Sequence, residues 1–240
     1  MRERSVDGRH KLFVDMLSGL GKAGVLENLI LIGGWCQNVY KVYFGDPPEI
    51  STLRTADVDF LIPNPRKIEK GFDLPRFFKS VGFDEEFSVM GGYVKYVHPE
   101  LEIEFLVPEL GRGSEKSHEV KELGVTAQPL RYLTLLGAHT MKTRFCGVEL
   151  VVPEPAAFVL DKLLVARERK KPDKRENDLR AARQIGEYLL RDRIHEERIG
   201  LIFSSLPASW KRRILEEASQ CSKDLCDVLK QALPSGSVQG

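Results

Sequence analysis

The chain has 240 residues, of which 42% are hydrophobic and 30% charged, and a formal net charge of +1. That length suits one large domain or two small ones, and the apolar fraction is ordinary for a chain that builds its own core, which excludes dependence on an exotic stabiliser. Cys36, Cys146, Cys221 and Cys226 form no CxxC pair and have no histidine at zinc spacing, which excludes a zinc knuckle or disulfide framework in favour of reduced, mostly buried thiols.

The apolar runs are too short to span a bilayer, and Met1 to Lys11 is charged with no apolar signal segment after it, so a cytoplasmic protein without a membrane partner is expected. Charge is uneven along the chain. Residues 1–110 carry 13 Lys and Arg against 17 Asp and Glu, and residues 111–240 carry 23 against 18. An acidic front suits metal binding and a basic rear suits polyanion contact, although composition alone also produces differences of this size.

Apolar spacing predicts a helix over His10 to Leu20, and the run Asn28 to Ile32 predicts a buried strand that ends at Gly33 and Gly34. Helical spacing resumes from Trp35 to Phe44, and Pro47 and Pro48 place Gly45 to Ile50 in a loop. Asp57 to Ile62 (DVDFLI) reads as a strand with one functional face, followed by a helix at about Leu74 to Ser80. Glu85 to Met90, Tyr93 to His98 and Leu101 to Val107 read as a β-meander with turns at Gly91-Gly92 and Pro99-Glu100. Gly111 to Glu122 is polar and loop-like, and the apolar runs Leu130 to Leu136 and Val148 to Val152 extend or flank the sheet. The remainder is predicted helical: Pro155 to Arg169, Arg175 to Arg191, His195 to Phe203 and Ala208 to Leu233, with residues 234–240 as a disordered tail.

The chemistry is concentrated at Asp57-Val58-Asp59. Strand residues two apart share a face, so two like charges stand side by side, a repulsion that a divalent cation such as Mg²⁺ or Mn²⁺ offsets. A third acid, Glu102 or Glu104, is predicted on a neighbouring strand. Glu104 is favoured because it precedes Phe105 to Val107 much as Asp59 precedes Phe60 to Ile62, but the choice depends on strand register. Upstream, Gly33-Gly34 lies between strand and helix, where backbone amides can approach a triphosphate.

With Leu31-Ile32-Gly33-Gly34, Asp57-Val58-Asp59 and Ile103-Glu104-Phe105 in this order, the chain resembles the DNA polymerase beta-like nucleotidyltransferase superfamily. The resemblance implies metal on Asp57, Asp59 and Glu104, a nucleoside triphosphate such as ATP on the Gly33-Gly34 turn, and attack on the α-phosphorus with pyrophosphate leaving. Over the second half, Val152-Pro153-Glu154, Lys162, Arg167 and Asp178 are similar to bacterial nucleotidyltransferases of the abortive-infection toxin type. By that resemblance Lys162 contacts phosphate and Asp178 supports the site. Trp35 stands where the pattern has a small residue, and Glu104 where Asp is commoner.

Arg54 is a candidate phosphate contact or a cap for the sheet edge, and Thr55 a nucleotide contact or a strand start. Trp35 and Tyr40 are candidates for stacking on a base, against the ordinary fate of helix aromatics as core. The run Arg167 to Arg175 is a candidate nucleic-acid contact or a solvated turn. His98, His118, His139 and His195 are scattered and suggest no triad.

The expectation is an α/β (α+β) nucleotidyltransferase fold: a mixed sheet with flanking helices and a helical C-terminal region. Residues 1–110 form the catalytic core, 111–233 the sheet extension and helical region, and 234–240 the tail. Asp57 and Asp59 hold Mg²⁺ or Mn²⁺, and Glu104 helps activate the acceptor hydroxyl of a tRNA, a protein or a small molecule. The alternative is a silent nucleotide-binding module of the same fold, or one that binds a protein partner in a toxin-antitoxin-like pair.

Overall fold

The computed structural model describes residues 3–88, 92–109 and 116–233. They fall into two compact units. The first runs up to Gly45 and resumes over Thr52–Pro153; the second joins Asp46–Ser51 to the chain from Glu154 onward.

The first unit holds α1 (Glu3–Lys22), β1 (Ile30–Ile32), α2 (Trp35–Tyr43), β2 (Asp57–Leu61), α3 (Leu74–Ser80), β3 (Asp84–Ser88), β4 (Tyr93–Val97), β5 (Glu102–Pro108), β6 (His118–Val120), β7 (Val125–Leu130), α4 (Leu133–Ala138), β8 (Thr140–Phe145) and β9 (Val148–Pro153). Among the described residues its strands form one mixed sheet, ordered β3-β4-β5-β2-β1-β9-β8, with β7 beside β5 and β6 on β7. β2 is antiparallel to β1 and parallel to β5. The expected meander is present, since β3 and β4 pair antiparallel, as do β4 and β5.

Alternation along β2 and β5 sets the character of each sheet face. Val58, Phe60, Ile103 and Phe105 are wholly buried, and Phe78 of α3 packs on Phe105 with ring centroids 6.0 Å apart. On the opposite face, Ile30, Ile32, Leu61 and Leu106 pack against Leu133 and Leu136 of α4. That same face continues toward the starts of β2 and β5, where its side chains become Asp59, Asp57, Glu104 and Glu102. One surface thus passes from core to carboxylates within a few residues.

The second unit comprises α5 (Pro155–Ala166), α6 (Pro172–Leu189), α7 (Arg193–Ser205), α8 (Ala208–Cys221) and α9 (Lys223–Gln231). Every residue of α5 except Val165 is buried, as befits a helix whose apolar residues surround its axis, and it packs against α6, α7 and α8. Asp46–Ser51 is fastened to α6 by Gln184 donating to Ser51 (2.5 Å), and nearby Arg191 donates to Glu49 (2.6 Å).

One expectation left open is decided and two change. Beyond its first residue, Leu130 to Leu136 flanks the sheet and does not extend it. β7 ends at Leu130, and after Tyr132 in the left-handed region (φ 69°) the chain turns into α4, whose Leu133 and Leu136 share a face at helical spacing. The polar stretch from Gly111 contains β6, which finds its partner in Val125 to Ala127 of β7. Ala208 to Leu233 is two helices, because Ser222 turns extended (φ −156°, ψ 118°) and caps α9 through Leu225 N–H. The predicted disordered tail at 234–240, residues 89–91 of the meander, and residues 110–115 of the polar stretch lie outside the described residues. Among the described residues no helix is long and apolar enough to cross a membrane.

Candidate active site

The register left open by the sequence sets Asp57 beside Glu102 and Asp59 beside Glu104 on parallel neighbours, with Ile32 opposite Asp59 on the other side. All four carboxylates share one face. Asp57 is exposed, and Asp59, Glu102 and Glu104 are half-buried.

Ile32 ends β1 directly before Gly33-Gly34, so its pairing with Asp59 brings the turn to the acids. Gly33 has φ 73°, and a β-carbon built there would stand 2.1 Å from Asp59 Oδ2. The Asp59 carboxylate therefore lies directly against bare backbone, and glycine is required by conformation and by space alike. Gly34 is helical, but a β-carbon there would meet Leu53 Cδ2 at 2.8 Å and Thr55 Cγ2 at 3.1 Å. The first turn of α2 closes tightly, with Cys36 N–H donating to Gly33 O (3.3 Å) and Gln37 N–H to Gly34 O (3.2 Å).

Thr55 lies two residues before β2, its Oγ1 accepting from Asp57 N–H (3.1 Å) while its methyl packs over Gly34. Arg54 is exposed, and among the described residues no ion pair holds it. The loop carrying both is positioned by Asn38, which sequence reasoning missed. This buried side chain donates to Leu53 O (3.0 Å) and accepts from Leu53 N–H (2.8 Å). An asparagine inside a helix of otherwise good spacing was the available signal.

Lys95 was also missed, and it changes the electrostatics most. His98 and Leu101 exchange backbone hydrogen bonds (2.8 and 3.1 Å) across the Pro99-Glu100 turn, and the register Tyr96 to Ile103 extends to set Lys95 opposite Glu104. Its ammonium is paired with both Glu104 and Glu102. Burial works against the Lys95 charge, but the two glutamates outweigh it and hold its pKa above the lysine range. For Glu104, burial pushes the carboxyl up, Lys95 pulls it down, and Glu102 adds to the rise.

A hard divalent cation takes carboxylate oxygens, and Asp57 and Asp59 present that donor chemistry beside side-chain-free backbone, so these residues fit such an ion. Glu104 has the same donor chemistry, and its carboxylate is paired with Lys95. Among the described residues no three His, Cys, Asp or Glu side chains are already gathered closely enough to hold a metal.

The two aromatic candidates for base stacking are core. Trp35 is 3% exposed and stacks on Phe13 with centroids 3.7 Å apart, and Tyr40 is wholly buried with its hydroxyl donating to Pro153 O (2.9 Å). Bulk after Gly34 is thus turned inward.

In the second unit Lys162 donates to Asp178 Oδ1 (2.7 Å) and Arg169 to Asp178 Oδ2 (2.6 Å). Burial disfavours the Lys162 charge, but Asp178 and Asp161 outweigh it and raise its pKa. Burial likewise pushes the Asp178 carboxyl up, and Lys162 and Arg169 together hold it below the ordinary range. The basic run Arg167 to Arg175 is a largely solvent-exposed turn leading into α6, in which Arg167 pairs with Glu216, Arg169 with Asp178 and Arg175 with Glu217.

Asp161, beside this cluster, is buried with no hydrogen-bond partner for Oδ1, and burial pushes its carboxyl up to about 7 from 3.8. Between those pH values the folded chain holds a proton that the unfolded chain has released, so stability falls as pH rises through the window and levels off above it. Asp161→Asn removes the ionisation. Its stability relative to the wild type is expected to rise between pH 5 and pH 8 by roughly 2 to 4 kcal/mol in denaturant titrations, and a pH-independent difference contradicts the assignment.

A family model for nucleotidyltransferases matches residues 11–200. The chain belongs to the nucleotidyltransferase family. Among solved structures, an antigenic nucleotidyltransferase-like protein from Paracoccidioides brasiliensis is similar with a TM-score of 0.50 at 14% identity, over 92% of this chain and 93% of that one. It supports the fold. The antibiotic-resistance factor ANT(2'')-Ia gives a TM-score of 0.42 at 15% identity, over 80% of this chain and 93% of that one. No curated protein matches the sequence.

Proposed function

We propose that the chain transfers a nucleoside monophosphate from a nucleoside triphosphate to an acceptor hydroxyl, within the DNA polymerase beta-like group and nearest in motif to its abortive-infection toxin type. The observation that carries this reading is the Asp59 carboxylate lying against the bare backbone of Gly33, with Asp57 on the same face and Glu104 one strand away. Phosphate oxygens brought to that backbone come within reach of a cation held by the acids. Catalytic work is assigned to residues 1–110, and residues 111–233 complete the sheet and carry the helices.

A bound Mg²⁺ or Mn²⁺ supplies charge neutralisation and polarisation of phosphate oxygens. Asp57 and Asp59 hold it, and Glu104 serves as the third donor near the acceptor hydroxyl. The Gly33-Gly34 turn admits the triphosphate close to β2, with Arg54 and Thr55 on the neighbouring loop. In the second unit Asp178 keeps Lys162 charged and oriented, and a phosphate contact by Lys162 rests on the motif likeness alone. In the reaction the acceptor oxygen bonds to the α-phosphorus, pyrophosphate leaves with the electron pair of the broken bond, and the hydroxyl proton passes to solvent water. The acceptor is a tRNA, a protein or a small molecule.

A second reading, a silent nucleotide-binding or protein-binding module, draws on the Lys95 pairing, which neutralises part of the acidic face from within the chain. Incubation with each α-labelled triphosphate, Mg²⁺, total RNA and lysate protein separates the two. Label on one acceptor class is the expected result, and label on nothing with any base overturns transfer.

A further inference from the structure

Lys95 is the internal cation of the acidic face. It stands on β4 across the hairpin from Glu104, on the side of β5 away from β2, and its ammonium pairs with Glu102 and Glu104. Its side chain is 23% exposed and that of Glu104 20%, so neither pairs freely with solvent ions as a surface charge does. Two parallel strands put four carboxylates on one face, which by repulsion disfavours the metal-free fold. A lysine brought up from the opposite strand of the hairpin relieves this without any ligand.

We propose that Lys95 is a positioning residue that competes with the divalent cation for Glu104: the ammonium holds Glu104 in the empty protein, and a cation on Asp57 and Asp59 gains Glu104 only as Lys95 withdraws toward Glu102. This rests on the carboxylate site proposed above. Two ligands that compete for one group are linked, and each weakens the other by the same factor. The device keeps the site folded when empty and sets the cation affinity lower than three free carboxylates give. The paired glutamate at Glu102 gives the ammonium a place to stay, so exchange does not expel a charge into the sheet.

The test is Mn²⁺ binding measured by calorimetry without nucleotide. Lys95→Met keeps the length of the side chain and removes the charge, and is expected to bind Mn²⁺ about fivefold tighter or more, a linkage of ordinary size. Its melting temperature without metal falls, and Mn²⁺ raises it more than it raises that of the wild type. Lys95→Arg keeps the wild-type affinity. If the Met variant does not fold, Lys95→Gln carries the same expectation. Equal or weaker Mn²⁺ binding by the neutral variant, with wild-type binding still lost in Asp57→Asn and Asp59→Asn, overturns the competition and leaves the carboxylate site standing. Mn²⁺ binding that ignores Asp57 and Asp59, or is absent from every variant, overturns both.

Discussion

Asp59→Asn is expected to lower the rate of nucleotide transfer by roughly a thousandfold, about 4 kcal/mol of transition-state stabilisation. Asparagine keeps the volume and a hydrogen-bonding oxygen but loses the charge that holds a cation. The fold is expected to persist, because β2 is anchored by Val58 and Phe60, both wholly buried on the other face, and by pairing on both edges. Removing one of the four like charges on that face also lowers repulsion in the metal-free protein. A melting temperature at or above that of the wild type, with transfer lost, identifies Asp59 as chemical. Full transfer by a folded variant contradicts that role.

Gly33→Ala combines a stability loss with a loss of function. An alanine at φ 73° costs about 1 to 2 kcal/mol, and its methyl would stand 2.1 Å from Asp59 Oδ2, well inside contact distance. Either the turn or the carboxylate moves. Displacement of a reacting group by about an ångström costs roughly a hundredfold in rate, so transfer is expected to fall by at least that much in a variant that still melts cooperatively. Gly34→Ala makes a useful contrast. Its backbone is helical, and the nearest atoms are the side-chain ends of Leu53 and Thr55, of which the Leu53 methyl can shift. Melting temperature and rate in both variants check the ordering, and a larger defect at Gly34 than at Gly33 contradicts it.

The elements that position the site were legible because local pattern and tertiary role agreed there. DVDFLI alternates where one face is functional and turns apolar where α4 covers it. The paired strands β2 and β5 repeat that transition in register, which is why Asp59 and Glu104 each precede an apolar run. The helix opened by Pro155 follows from proline's fixed φ at the first helical position, whereas α6 starts at Pro172, three residues before the expected Arg175.

What escaped depended on partners distant in sequence. β6 and β7 are short and polar in part, and are defined by pairing with each other and with β5. Leu130 to Leu136 is largely apolar, so periodicity cannot separate strand from helix over so few residues. Trp35 beside Gly34 suggested a ligand contact, but stacking on Phe13 of α1 makes it core. Lys95 was recoverable in principle: the predicted turn at Pro99-Glu100 already implied that residues 95 and 104 face each other. A charged residue in the alternation of YVKYV carried no sign of its partner until the hairpin was closed. Arg169 similarly lay inside a run that reads as solvated, and its pairing with Asp178 follows only from the packing of α5 and α6.

The most direct measurement is triphosphate affinity as a function of Mn²⁺ for the wild type and for Asp57→Asn/Asp59→Asn, both verified as folded. The carboxylate site predicts that Mn²⁺ tightens triphosphate binding to the wild type and has no such effect on the double variant. Equal Mn²⁺-dependent binding by the two proteins contradicts it.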